Sequence, residues 1–156
     1  DGKTGILKDY RQRSNVMLIL FSWPDSITRL NELNKMAGEL KALNTEILAV
    51  PMDGYSKKIL KELTTELSFP VFLDGWYEIK RSYLLFRRTL THPDIMGEGV
   101  APDHMEFLID RFGYLRARWI PSIDSVDWKE SNLLAKQLMQ LNQEDEILPP
   151  PKDHVH

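Results

Sequence analysis

Two stretches of the chain are apolar without interruption, Val16-Met17-Leu18-Ile19-Leu20-Phe21 and Ile47-Leu48-Ala49-Val50. Runs this short and continuous predict strands covered on both faces in a largely parallel sheet. Between them, Leu30, Leu33, Met36, Ala37, Leu40 and Leu43 recur every three or four residues, which predicts a helix from Asp25 to Leu43 with one apolar stripe. Trp23-Pro24 breaks the first strand, and Asp25 or Ser26 is the expected N-cap. Ile59, Leu60, Leu63 and Leu67 mark a second helix capped by Ser56. Phe69 to Asp74 reads as a short strand entered through Pro70, and Trp76 to Leu85 as a helix. Met105 to Asp110 and Tyr114 to Ile120 flank Arg111-Phe112-Gly113, the pattern of a hairpin. Val126 to Leu141 predicts a closing helix on Leu133, Leu134, Leu138 and Leu141.

Irregular sequence falls in three places. Ile6 to Tyr10 reads as a short strand or turn. Between Phe86 and Asp103, Pro93, Gly97, Gly99 and Pro102 oppose regular structure, and this longest loop is the first place to expect function. Residues 143–156, with Pro149-Pro150-Pro151, read as an extended tail behind a single domain of residues 1–142. Strands alternating with helices and then a hairpin predict an α/β domain, a central mixed sheet flanked by helices on both faces.

Composition removes several functional classes. The 156 residues carry 20 basic and 23 acidic side chains, so no basic footprint for nucleic acid is present. No apolar run reaches membrane-spanning length. The chain lacks an initiator Met, so it is expected to be a mature fragment or an excised domain, in the latter case of a larger, membrane-anchored protein. There is no cysteine, which excludes disulfides, thiolate nucleophiles and Cys-ligated metal centres.

Three segments carry a family resemblance: Leu18 to Ser26, Phe69-Pro70-Val71-Phe72-Leu73-Asp74, and Asp103 to Gly113. Together they resemble the thioredoxin-like superfamily, in its Sco/SenC copper-chaperone and AhpC/TSA peroxiredoxin-like branches, over nearly the whole chain. The resemblance implies a thioredoxin-like fold whose active-site corner lies at Trp23, Pro24, Asp25, Ser26 and Ile27. Sco-type proteins carry Asp-His before the late strand, as Asp103-His104 does here, and that histidine joins two cysteines of a C-x-x-x-C motif on copper. In this chain Trp23 and Ile27 stand at the cysteine positions while Pro24 and Asp25 remain. The resemblance therefore implies a redox-inactive, non-enzymatic domain with a protein partner, in a periplasmic or other extracytoplasmic setting tied to bacterial envelope or copper physiology.

Candidate chemistry is weighed on that frame. His104, at the mouth of the corner, is of a type that ligates copper or zinc, although one histidine is not a metal site. Met105, Met96 and His92 supply a soft set suited to Cu(I), against which Met105 opens an apolar strand. His154 and His156 in the tail form an alternating pair of the kind that chelates Cu(II). Ser26 sits at a helix N-terminus, yet no His-Asp partner accompanies it within its motif, so capping is the expected role. Trp23, Trp76, Tyr77 and Trp119 are candidates for a partner-binding surface, with core packing as the competing fate.

Overall fold

A computed structural model describes residues 10, 12–23, 25–52, 57–72, 103–122, 124, 128–129 and 131–145. Within them the chain forms β1 (Asn15–Phe21), α1 (Ile27–Ala42), β2 (Thr45–Pro51), α2 (Lys57–Thr65), β3 (His104–Ile109), β4 (Leu115–Trp119) and α3 (Ser131–Gln143). The sheet runs β2-β1-β3-β4. β1 pairs parallel with β2 and antiparallel with β3, and β4 closes the hairpin. The expected mixed sheet is present. Of the strand expected at Phe69 to Asp74, the described residues 69–72 contribute a parallel bridge between Val71 and Ala49.

Alternation along the strands builds two cores. Met17, Ile19, Phe21, Ile47, Ala49 and Leu108 face one side, where Leu30, Leu33 and Leu40 of α1 and Leu134, Leu138 and Leu141 of α3 cover them. Val16, Leu18, Leu20, Leu48, Val50, Met105 and Phe107 face the other side. Every residue of β1 is buried, as its unbroken apolar run predicts.

Polar side chains fix how these layers join. Asn44 takes a left-handed conformation (φ 56°) that turns α1 into β2, a region Asn tolerates better than most residues. Asn34 of α1 donates to Glu66 O and accepts from the Ser68 backbone, tying α1 to the segment after α2. Asp110 accepts from the Phe112 and Tyr114 amides and so shapes the hairpin turn, where Gly113 has φ 92°. Buried Asn15 donates to Asn142 Oδ1 at 2.9 Å and accepts from the Arg111 amide at 3.0 Å. Asn142 in turn donates to Leu43 O. This clasp joins the start of β1 to the end of α3.

The closing helix departs from its predicted start. Trp128 and Lys129 lie in a turn, and the helix begins at Ser131. Trp128 is buried against Trp119, with ring centroids 6.3 Å apart, and so packs from the turn before the helix. The predicted strand at Ile6, the cap at Ser56, the helix from Trp76, the 86–103 loop short of Asp103 and the tail beyond Asp145 lie outside the described residues. Among those described, no helix is long and apolar enough to cross a membrane.

Candidate functional site at the strand-to-helix corner

The end of β1 and the start of β3 are paired, so Phe21 lies opposite His104. That register brings the corner at Ser22 to Ile27 against Asp103-His104. Strand alternation then turns His104 and Glu106 toward α1 and sends Met105 to the opposite core.

A chain of hydrogen bonds follows from this placement. The His104 ring reaches Ser26 Oγ through Nδ1 at 2.8 Å and Glu106 Oε2 through Nε2 at 2.7 Å. Arg29, in the first turn of α1, donates to both Glu106 oxygens, from Nε at 2.7 Å and from Nη2 at 2.8 Å. Ser26 Oγ also accepts from the Ser22 amide at 3.1 Å, and Ser22 Oγ donates to Asp103 O at 2.7 Å. Trp119 walls the site: the Arg29 guanidinium lies 4.9 Å from its ring centre, and His104 meets it edge-on at 6.3 Å.

Glu106 is fully buried, and burial alone would raise its carboxyl pKa. The hydrogen bonds from Arg29 and His104, and the Arg29 charge, outweigh that and hold it below its ordinary value. Arg29 moves the opposite way: burial works against its charge, but Glu106 raises its pKa above the usual arginine range. With Glu106 ionised, Nε2 of His104 must carry the proton it donates. In a neutral ring Nδ1 then accepts from the Ser26 hydroxyl; in an imidazolium Nδ1 donates to Ser26 Oγ, whose hydrogen has Asp103 O at 3.5 Å as its other acceptor. Every polar group of the chain from Ser26 to Arg29 is thereby paired.

The linkage sign is fixed by that depression. The folded state holds fewer protons on Glu106 than the unfolded state, so its contribution is full above the ordinary carboxyl value of 4.5 and is lost as pH falls through the lower folded value. Urea titrations from pH 7 to pH 3 should show the stability gap between the wild-type chain and Glu106→Gln narrowing across the acid limb. A gap constant with pH would contradict the depressed carboxyl.

The structure revises several sequence expectations. Ser26 is the N-cap residue of α1, but its side chain makes no cap hydrogen bond because Oγ is committed to His104 and the Ser22 amide. Met105 cannot share a metal with His104, since adjacent strand residues point to opposite faces. Both ring nitrogens of His104 are already hydrogen-bonded. Among the described residues no three His, Cys, Asp or Glu side chains gather to hold a metal ion. Trp119 is core rather than surface, Trp23 is half-buried, and Asp25 and Ile27 are exposed. Pro24, His92, Met96, Trp76, Tyr77, His154 and His156 lie outside the described residues.

Arg29 and Glu106 belong to this buried chain, and sequence reading misses them. Arg29 sits one position before Leu30 in the apolar stripe, and Glu106 interrupts an otherwise apolar strand. A charge at each inward position is the signal that could have found them.

No protein-family model matches the chain. No curated protein matches it either. Solved structures do. The mitochondrial 2-Cys peroxiredoxin of Plasmodium falciparum superposes with a TM-score of 0.60 at 15% identity, covering 92% of this chain and 86% of that one. The bacterioferritin comigratory protein of Xanthomonas campestris gives 0.60 at 18%, covering 85% and 82%. A thioredoxin-family thiol:disulfide interchange protein of Chlorobium tepidum gives 0.59 at 8%, covering 85% and 83%. The chain thus has a thioredoxin-like fold. It is a cysteine-free α/β domain of that class, with a buried Ser26-His104-Glu106-Arg29 chain at the strand-to-helix corner.

Proposed function

We propose that this is a redox-inactive thioredoxin-like domain that acts by binding a protein partner rather than by turnover, in an assembly role linked to bacterial envelope or copper physiology. The carrying observation is a thioredoxin-like fold on a chain with no cysteine, in which Ile27, 39% exposed, and half-buried Trp23 occupy the corner. Dithiol exchange needs thiolates, and none can form here. Exposed Ile27 and half-buried Trp23, at a corner beside a hydrogen-bonded strand, are suited to contacting the apolar side chains of an extended chain. The Sco resemblance at Asp103-His104 supports an extracytoplasmic setting.

The test is a panel of extended apolar peptides titrated into the labelled domain by NMR. Shifts centred on Trp23, Ile27 and Asp103, with binding weakened tenfold or more by Ile27→Asp, are expected. Shifts elsewhere, or none, would overturn the reading.

A copper module is the second reading, favoured by the Asp-His pair and the His154/His156 tail. Because His104 is bonded at both nitrogens, copper would draw first on His92, Met96 and the tail. Titration with Cu(I) and Cu(II) decides it, and stoichiometric binding lost on deleting residues 149–156 is the supporting result.

A further inference from the structure

The corner holds an arrangement that a docking role does not require. Ser26 Oγ, His104 and Glu106 form a hydroxyl, imidazole and carboxylate in series, at 2.8 and 2.7 Å. A nucleophile within hydrogen-bond reach of a base, and a base oriented by a third group, is the geometry that activates a serine. In the neutral ring with its proton on Nε2, Nδ1 faces the Ser26 hydroxyl as the base, and Glu106, held by both arms of Arg29, lies against Nε2 of the imidazolium that forms when the hydroxyl proton moves.

A second observation comes from the start of α1. The first turn of a helix leaves backbone N–H groups without intrahelical acceptors, and the N-cap side chain ordinarily satisfies one of them. Here it makes no such bond. The hydroxyl is turned to the imidazole instead.

We propose that Ser26 is a nucleophile toward small activated acyl electrophiles, with His104 as its base and Glu106 and Arg29 as positioning residues. In the step, Ser26 Oγ bonds to the carbonyl carbon of an ester, the ester C–O bond breaks, and the alkoxide or phenolate leaves. The hydroxyl proton passes to His104 Nδ1 and from there to solvent. Ser26 lies between exposed Asp25 and Ile27 in the sequence, with half-buried Trp23 three residues before it. Ser26 is 2% exposed and His104 9%, which restricts the electrophile to a small one reaching Oγ as the corner breathes. This goes beyond the binding role, which is tested by peptide titration and neither requires nor forbids it.

The experiment is incubation of the whole chain with p-nitrophenyl acetate, followed by intact mass and peptide mapping. One acetyl group on Ser26 is expected, with one equivalent of p-nitrophenol released. Ser26→Ala should abolish it, and His104→Gln should slow it by about 10²–10⁴-fold. Glu106→Gln should slow it and shift its pH profile, a change that a purely structural role would not produce. Ser26→Cys, treated with iodoacetamide, reads access separately from activation and should be alkylated at that position. Circular dichroism confirms that each variant is folded. No adduct on the wild-type chain, an adduct mapped to another residue, an unchanged rate in folded His104→Gln, or an unreactive Ser26→Cys would each overturn the proposal.

Discussion

Replacing Arg29 by Met should destabilise the domain by about 3–5 kcal/mol, because it strands a buried carboxylate without its counter-charge. Glu106 has no exposed surface, and Arg29 supplies two of the hydrogen bonds that keep it ionised there. Removing the guanidinium leaves His104 as the remaining donor and forces Glu106 either to take up a proton or to remain charged in apolar surroundings. A loss of this size is a large share of a typical domain's total of about 5–15 kcal/mol. The double variant Arg29→Met/Glu106→Leu should recover part of it, since no buried charge remains. Recovery should be incomplete, because His104 Nε2 then lacks its acceptor, at a cost of about 1–3 kcal/mol. Urea unfolding followed by circular dichroism measures all three chains. A single variant within about 1 kcal/mol of wild type would show that the pair contributes far less than buried pairs do.

Trp119→Ala should cost about 3–5 kcal/mol as well, by a different route. The indole is buried between Trp128 on one side and the Arg29-His104 pair on the other. Its removal opens a cavity at the junction of β4, α1 and the turn before α3, and takes away the ring over which Arg29 lies. Trp119→Phe keeps an aromatic wall and should lose much less. The two substitutions separate packing from electrostatics: Trp119→Ala should stay destabilised to a similar extent from pH 7 to pH 3, whereas the deficit of Glu106→Gln shrinks on acidification. A Trp119→Ala chain as stable as Trp119→Phe would mean that the neighbouring rings close the gap.

Much of the fold was legible because burial imposes periodicity. The unbroken run from Val16 to Phe21 identifies a strand covered on both faces, and β1 is buried along its whole length. The Leu30, Leu33 and Leu40 spacing identifies the face of α1 that meets the sheet. Legibility fails where packing, rather than periodicity, sets the outcome. Trp128 falls inside the predicted span of the closing helix, Val126 to Leu141, yet it packs from a turn against Trp119. Ser26 has the residue type and position of a cap, yet its hydroxyl is captured by His104, 78 positions away in the chain. Local propensity gives way to a buried acceptor whenever leaving that acceptor unpaired would cost more than a missing cap.

The sequence by itself determined that this protein performs no thiol chemistry, since no arrangement of a cysteine-free chain can supply a thiolate. It also determined which strand and helix faces are buried. What only the tertiary structure decided is what stands at the corner instead. The β1–β3 register sets His104 beside Ser26, strand alternation puts Glu106 on the same face while removing Met105 to the other, and the first turn of α1 brings Arg29 onto that carboxylate. Those groups are brought together by pairing and packing between distant segments, so no local pattern in the chain announces them.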